Sequence, residues 1–214
     1  YEIAQCLVGS EMCIRDSIGI GCTGPLDIDK GILLDVENLP TLKYFPLKDT
    51  VEQVFPLRVI LDNDANALIY AEALWGAGRN AGSVLGFTLG TGIGCAWING
   101  GKVWRGHSGC AGEVWTSPYK KGILEDYVSG NAVTRLYKEY TKEELPAYRI
   151  AELARSGDKM ALQVWDVFAQ ALAHALSWTV NITDPEIVII GGSVLKSSDL
   201  YWDKAEWLFR KFIC

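Results

Sequence analysis

At 214 residues, 49% hydrophobic and 21% charged, the chain has room for one large globular domain or two small ones and carries no compositional sign of disorder. Its formal net charge of -6 argues against a non-specific nucleic-acid binder, no apolar run reaches the length of a membrane span, and the first residues lack a signal peptide's charged-then-apolar order. Six cysteines (Cys6, Cys13, Cys22, Cys95, Cys110 and Cys214) follow no CxxC or CxC spacing, so neither a zinc site nor a disulfide framework is expected, and reduced thiols in the cytoplasm are the default.

Residues 9–17 follow neither a helical nor a strand period and resemble a translated sequencing adaptor, so 1–17 is expected to be partly non-native. Regular pattern begins at Ile18. Residues 18–21 read as a strand entering the turn Thr23-Gly24-Pro25, 31–35 as a short strand, and 47–55 as a short helix. Residues 58–61 form an apolar, β-branched strand that runs into Asp62-Asn63-Asp64 and a helix over 65–75, stopped by Gly76 and Gly78. Two buried strands, 84–89 and 93–98, flank Gly90-Thr91-Gly92, and Asn99-Gly100 is a further hairpin signal. Residues 122–140 read as mostly helical. A long helix over 158–181 carries Leu162, Trp165, Phe168, Leu172 and Leu176 at spacings of three and four, which is a core-facing stripe. A fully buried strand at 187–190 then meets Gly191-Gly192-Ser193, which opens the next helix.

The glycine loop at 90–94 lies between two strands. Rossmann and Walker loops both need a helix directly after the glycines, so neither applies. What remains is a turn whose missing side chains let backbone N–H groups approach an anion, with one hydroxyl from Thr91. A glycine-rich hairpin with no ligand stays open as the alternative. Strand, paired glycines and helix start at 191–193 suit a nucleotide, although such glycines also serve packing. At the end of the 58–61 strand, Asp64 is placed to accept a hydroxyl proton in phosphoryl transfer, or else to cap the helix; Asp62 and Asn66 are alternative caps that would leave Asp64 freer. Glu113 follows small residues, and Glu125 opens a helix. Two such carboxylates accept from neighbouring sugar hydroxyls, with capping or surface charge as the alternative. A glycosidase also pairs carboxylates but needs neither glycine turn.

Taken in order, Gly19-Ile20-Gly21 through Gly24-Pro25-Leu26-Asp27, Asn38-Leu39-Pro40, Asp62 through Ala67, Leu89 through Gly94, Gly106 through Glu113, Glu125 with Ser129-Gly130, and Asp184-Pro185-Glu186 through Gly191-Gly192 resemble the sugar kinases of the ROK family (repressors, open reading frames and kinases). The resemblance covers nearly everything from Ile18 onward. It implies an α/β, two-lobed, actin-like (ribonuclease H-like) ATPase fold, with an incomplete sugar-binding lobe over 1–80 and a truncated nucleotide-binding lobe over 81–214. It further implies transfer of the γ-phosphoryl of ATP to the 6-hydroxyl of a hexose, glucose first, with Asp64 as base. The hexose would be held by Asn38, Asn63, Glu113 and Glu125, with Gly24 and Thr116 beside them. Gly90, Thr91, Gly92 and Gly94 would meet the phosphates and Gly191 and Gly192 the adenosine, with Mg2+ travelling with ATP.

The departures from the pattern carry expectations of their own. Where many family members place Gly-His after the glutamate, this chain has Trp115 and Thr116; its cysteine-bearing segment is shortened to 117–122, and Ile123 replaces a cysteine. No zinc is therefore expected, as in the glucokinase-like branch. The family's Asp-x-Gly-Gly-Thr loop is missing and the chain stops soon after the adenosine motif, so truncation at both ends and an inactive fragment are expected. A homodimer with no nucleic-acid or membrane partner completes the kinase reading. The alternatives are a sugar-responsive regulator of the same family with an N-terminal helix-turn-helix, or a kinase for fructose, mannose or an N-acetylhexosamine.

Overall fold

The apolar, β-branched run at 59–61 gives a strand, Arg58–Asn63 (β4), whose period of two buries Val59 and Leu61 and leaves Ile60 exposed, and which pairs in parallel with Ser17–Cys22 (β1), Cys22 opposite Asn63. The computed structural model describes residues 16–36 and 39–214; residues 1–15, which hold Cys6, Cys13 and most of the adaptor-like stretch, lie outside them, as does Asn38. The chain divides into two compact units, Tyr1–Ala67 and Leu68–Cys214, the division falling inside the helix Asp64–Trp75 (α2).

In the first unit, Leu26–Asp27 (β2) and Ile32–Leu33 (β3) form a small antiparallel pair. The strand expected over 31–35 is shorter because Gly31 takes a positive φ of 70° and belongs to the turn. The helix Leu47–Val54 (α1) is tied to β4 by Glu52 Oε1, which accepts the Val59 N–H at 2.9 Å.

The second unit is built on a four-stranded sheet in the order β10-β5-β6-β7, made of Ser83–Leu89 (β5), Ile93–Asn99 (β6), Lys102–Val103 (β7) and Ile187–Gly191 (β10). Strand β5 runs antiparallel to β6 and parallel to β10. The period of two sends Leu85, Phe87 and Leu89 into the main core, while Val84 packs in a second cluster with Ile69 of α2, Ala96 and Ile98. Gly86 makes that second contact possible, since a Cβ there would lie 2.3 Å from the Ile69 side chain. The β6–β7 turn is centred on Gly100 and Gly101, with φ of 56° and 72°, one residue later than the Asn99-Gly100 signal indicates.

The main core is organised by the helix Lys159–Thr183 (α5), capped by Asp158 through the Ala161 N–H at 2.7 Å. Trp165, Phe168, Leu172 and Leu176 are buried as expected, but Leu162 is 43% exposed. Ala161 holds the buried position, and Leu162, one residue on, is turned about 100° off that face. Trp165 stacks on Tyr201 at 5.7 Å between ring centres, and full burial of side chains such as Phe168 and Leu172 contributes about 1.5–3 kcal/mol each.

Around α5 lie Gly130–Thr141 (α3), Ala147–Arg155 (α4) and Trp202–Phe212 (α6). Helices α4 and α6 have no counterpart among the elements expected from sequence. Residues 122–129 are not helical throughout: Pro118–Tyr119 (β8) pairs with Gly122–Ile123 (β9), a 3-10 turn covers Leu124–Asp126, and Ser129 starts α3 by accepting the Ala132 N–H at 2.9 Å. Strand β10, expected to be fully buried, is half-buried at all five positions because it forms one edge of the described sheet. Among the described residues no helix is long and apolar enough to cross a membrane.

Candidate functional site

In the first unit, β4 delivers Asp62-Asn63-Asp64 to the start of α2. Asn63 is the cap: its Oδ1 accepts the N–H groups of Ala65 at 2.9 Å and Asn66 at 3.3 Å. Asp62 and Asn66, the caps considered from sequence, instead brace the turn, with Asn66 Nδ2 donating to Asp62 Oδ1 at 3.1 Å. Asp64 occupies the first helical position with an exposed side chain, its Oδ1 accepting the Ala65 N–H at 2.8 Å. Burial, and then the charge of Asp64, push the Cys22 thiol above its ordinary range, so the carboxylate's field reaches the end of β1. Gly24 lies half-buried in the turn after β1, joined to Pro25 by a cis peptide.

In the second unit, both glycine motifs come together at one end of the sheet. The β5–β6 loop is only Gly90-Thr91-Gly92, closed by the pair Leu89 and Ile93, and Gly94 lies within β6 opposite Thr88. Thr91 is exposed, and the space where a side chain at Gly90 would stand is open. Gly191 pairs with Thr88, and Gly192, at a φ of 107°, packs so closely that a Cβ there would meet the Leu89 carbonyl oxygen at 2.2 Å. Gly191-Gly192 opens a 3-10 helix, Ser193–Leu200, rather than an α-helix. Arg155 of α4 clamps that segment, donating to Asp199 Oδ2 at 2.8 Å and Oδ1 at 2.7 Å, and holds the Asp199 carboxyl below its usual range.

The N-terminus of α3 reaches the same place. Gly130 N–H donates to the Gly90 carbonyl at 2.7 Å and Asn131 N–H to the Thr91 carbonyl at 3.3 Å. Glu125, implied by the resemblance as a sugar ligand, has its Oε2 on the Ile93 N–H at 3.0 Å. In the sequence Ser129-Gly130 stands only as part of the family pattern; which groups the amides that follow meet is a matter of tertiary packing.

Glu113 follows Gly112, whose φ of 91° and close approach to the Cys95 carbonyl leave no room for a side chain. Trp115 Nε1 donates to Glu113 Oε2, a partner the sequence reading noted only as a departure from the family pattern. Thr116 is exposed and turns its hydroxyl to the Glu113 carbonyl at 3.1 Å. Burial, with the Glu113 charge added, pushes the Cys95 thiol up to about 12. Among the described residues, Glu113 is also the sole charged one lining an apolar cleft of about 280 Å³ walled by Trp97, Trp104, Trp178 and Ile182. Where the family pattern has a cysteine-bearing segment, Tyr119 packs edge-on to Tyr127 at 5.1 Å and against His174 at 5.0 Å, with Lys120 over both phenol rings.

Known proteins share this arrangement of elements. The chain is 33% identical over 207 residues to a glucokinase of Thermotoga maritima, which covers 86% of the chain and 65% of that relative. It is 32% identical over 224 residues to an N-acetyl-D-glucosamine kinase of Vibrio parahaemolyticus, covering 95% of the chain and 74% of the relative. Its structure superposes on the ROK glucokinase of Streptomyces griseus, solved with glucose and AMPPNP, with a TM-score of 0.79 at 30% identity over 92% of the chain and 72% of that structure. The chain thus spans about two thirds of these relatives, and its elements are those of the actin-like ATPase fold. The ROK family model matches residues 8–214, and the chain belongs to the ROK family.

Proposed function

We propose that the protein carrying this chain phosphorylates a hexose at its 6-hydroxyl with ATP, glucose being the first choice. The observation that carries the reading is the meeting, at one end of the second unit's sheet, of the loop 90–92, the 191–192 turn and the start of α3. That arrangement suits a nucleotide's phosphates, which need N–H groups and close backbone approach more than side chains. Asp64, exposed at the start of α2 and sharing the Ala65 N–H with the cap Asn63, takes the hydroxyl proton. The sugar oxygen then bonds to the γ-phosphorus as the bond to the bridging oxygen breaks, and ADP leaves. Gly24, Asn38, Asn63, Glu113, Thr116 and Glu125 contact the hexose. Gly90, Thr91, Gly92 and Gly94 face the phosphates, and Gly191 and Gly192 the adenosine. Mg2+ arrives as part of the ATP substrate.

Relatives named for glucose and for N-acetyl-D-glucosamine match at similar identity, so the hexose rests on contacts finer than the family. The test is ADP release measured with glucose, N-acetyl-D-glucosamine, fructose, mannose and 6-deoxyglucose. Release is expected with glucose and none with 6-deoxyglucose, which lacks the accepting hydroxyl. Equal release with 6-deoxyglucose would remove the 6-hydroxyl as acceptor. Hexose binding without ADP release would favour the sugar-responsive regulator.

A further inference from the structure

The segment Ser193–Leu200 that follows Gly191-Gly192 is a 3-10 helix of eight residues. Such helices seldom run beyond about four residues, because their side chains eclipse and their hydrogen bonds align poorly. This one is broken in the middle: Ser197 sits at φ -117° and ψ 20°, outside helical values, so the segment is two short turns on either side of it. The entry to the first turn is fixed by backbone, since Gly192 packs against the Leu89 carbonyl beside the loop 90–92. The exit from the second is fixed by Tyr201, buried and stacked on Trp165. Between these anchors Arg155, the last residue of α4, holds the outer side of the segment. Its Nη2 donates to the Lys196 carbonyl at 3.1 Å, before the break, and to Asp199 Oδ1 at 2.7 Å, after it, while Nε donates to Asp199 Oδ2 at 2.8 Å. One planar guanidinium therefore splints both turns at once. An exposed ion pair by itself is worth little, but a fork on both carboxylate oxygens with a backbone carbonyl as third acceptor fixes one geometry.

We propose that Arg155 is a positioning residue for the nucleotide: by splinting Lys196 and Asp199 across the break at Ser197, it holds the segment that begins at Gly191-Gly192 in the arrangement that receives the adenosine. The consequence for the nucleotide rests on the hexose-kinase reading; the effect on the segment itself does not. Arg155 acts through this segment and not on the reacting atoms. Glu113, Thr116 and Glu125 stand on the chain between β7 and α3, outside the segment that Arg155 holds, so the hexose side of the reaction is expected to be spared.

Amide hydrogen exchange and steady-state kinetics on the protein carrying this chain decide it. In Arg155→Ala, exchange across 193–200 is expected to quicken by about threefold or more, and the KM for ATP to rise about three- to tenfold while the hexose KM stays within about twofold. Arg155→Lys, whose single ammonium cannot fork onto both carboxylate oxygens, is expected to fall between wild type and Arg155→Ala. Asp199→Ala removes the same splint from the other side, and the double variant adds little to either single change. Unchanged exchange, an unchanged ATP KM, or ATP and hexose KM values that rise together as a general loosening would raise them, would overturn the proposal. Calorimetry of ADP binding separates this from failure of the hexose-kinase reading. A wild type that binds ADP yet phosphorylates no hexose sinks that reading alone; weaker ADP binding in Arg155→Ala then still supports the role of Arg155, and equal binding overturns it. A wild type that binds no ADP overturns both.

Discussion

Glu113 and Cys95 share one corner of the second unit, and each makes a measurable statement about it. The Trp115 indole donates to one carboxylate oxygen of Glu113 and so fixes the direction in which the other faces. Trp115→Phe keeps the ring's bulk and removes the donor; it is expected to raise the hexose KM by up to about tenfold, the worth of one hydrogen bond to a charged group. Glu113→Gln is expected to raise the hexose KM and leave that of ATP unchanged, and steady-state kinetics with each substrate varied in turn checks both. The Cys95 thiol, pushed up to about 12 by burial, stays protonated in the folded chain where an unfolded thiol ionises. Its contribution to stability is therefore complete below about pH 8.5, the unfolded value, and falls as the pH rises towards the folded value. Thermal melts of the wild type are expected to lose stability between about pH 8.5 and 10, with a shallower loss in Cys95→Ala. The Tyr201 phenol, also pushed up to about 12, extends the decline at higher pH in both.

Elements were legible where a local signal and the tertiary result agree. Apolar runs around Gly90-Thr91-Gly92 predict the β5–β6 hairpin, and β-branched residues before Asp62 predict β4 and α2, because each run both favours and buries the same face. Helices α4 and α6 do carry an apolar face, buried at Ile150, Ala151 and Ala154 and at Ala205, but their small buried residues and charged outer faces leave no continuous apolar run to read. Within the site, the residue types at 64, 113 and 125 could be read from the chain, but their partners could not. Asn63 rather than Asp62 or Asn66 caps α2, Trp115 meets Glu113, and Glu125 meets Ile93, contacts fixed only when separate elements pack. The Gly192 turn joins β10 to the end of β5, where a Cβ at residue 192 would lie 2.2 Å from the Leu89 carbonyl oxygen, which cannot move without breaking the sheet. Gly192→Ala is therefore expected to destabilise the protein by about 2 kcal/mol or more, the range for strain at a special φ combined with backbone overlap. Urea titration checks it, and a loss below about 0.5 kcal/mol would mean the turn relaxes freely.

For the whole molecule, membership of the ROK family and the actin-like fold frame the chemistry, and the gathering of both glycine motifs at one sheet end supports a kinase over a sugar-binding regulator. The regulator reading needs the hexose contacts but gives Asp64 no proton to accept. Phosphorus NMR of the protein carrying this chain, incubated with ATP and glucose, follows the reaction at its product. Glucose 6-phosphate is expected to form with the wild type, and its formation to slow by about 10²- to 10⁴-fold in Asp64→Ala, the usual worth of a general base, while circular dichroism shows the fold intact. Equal rates of glucose 6-phosphate formation in the wild type and a folded Asp64→Ala variant would contradict the assignment of Asp64 as the base.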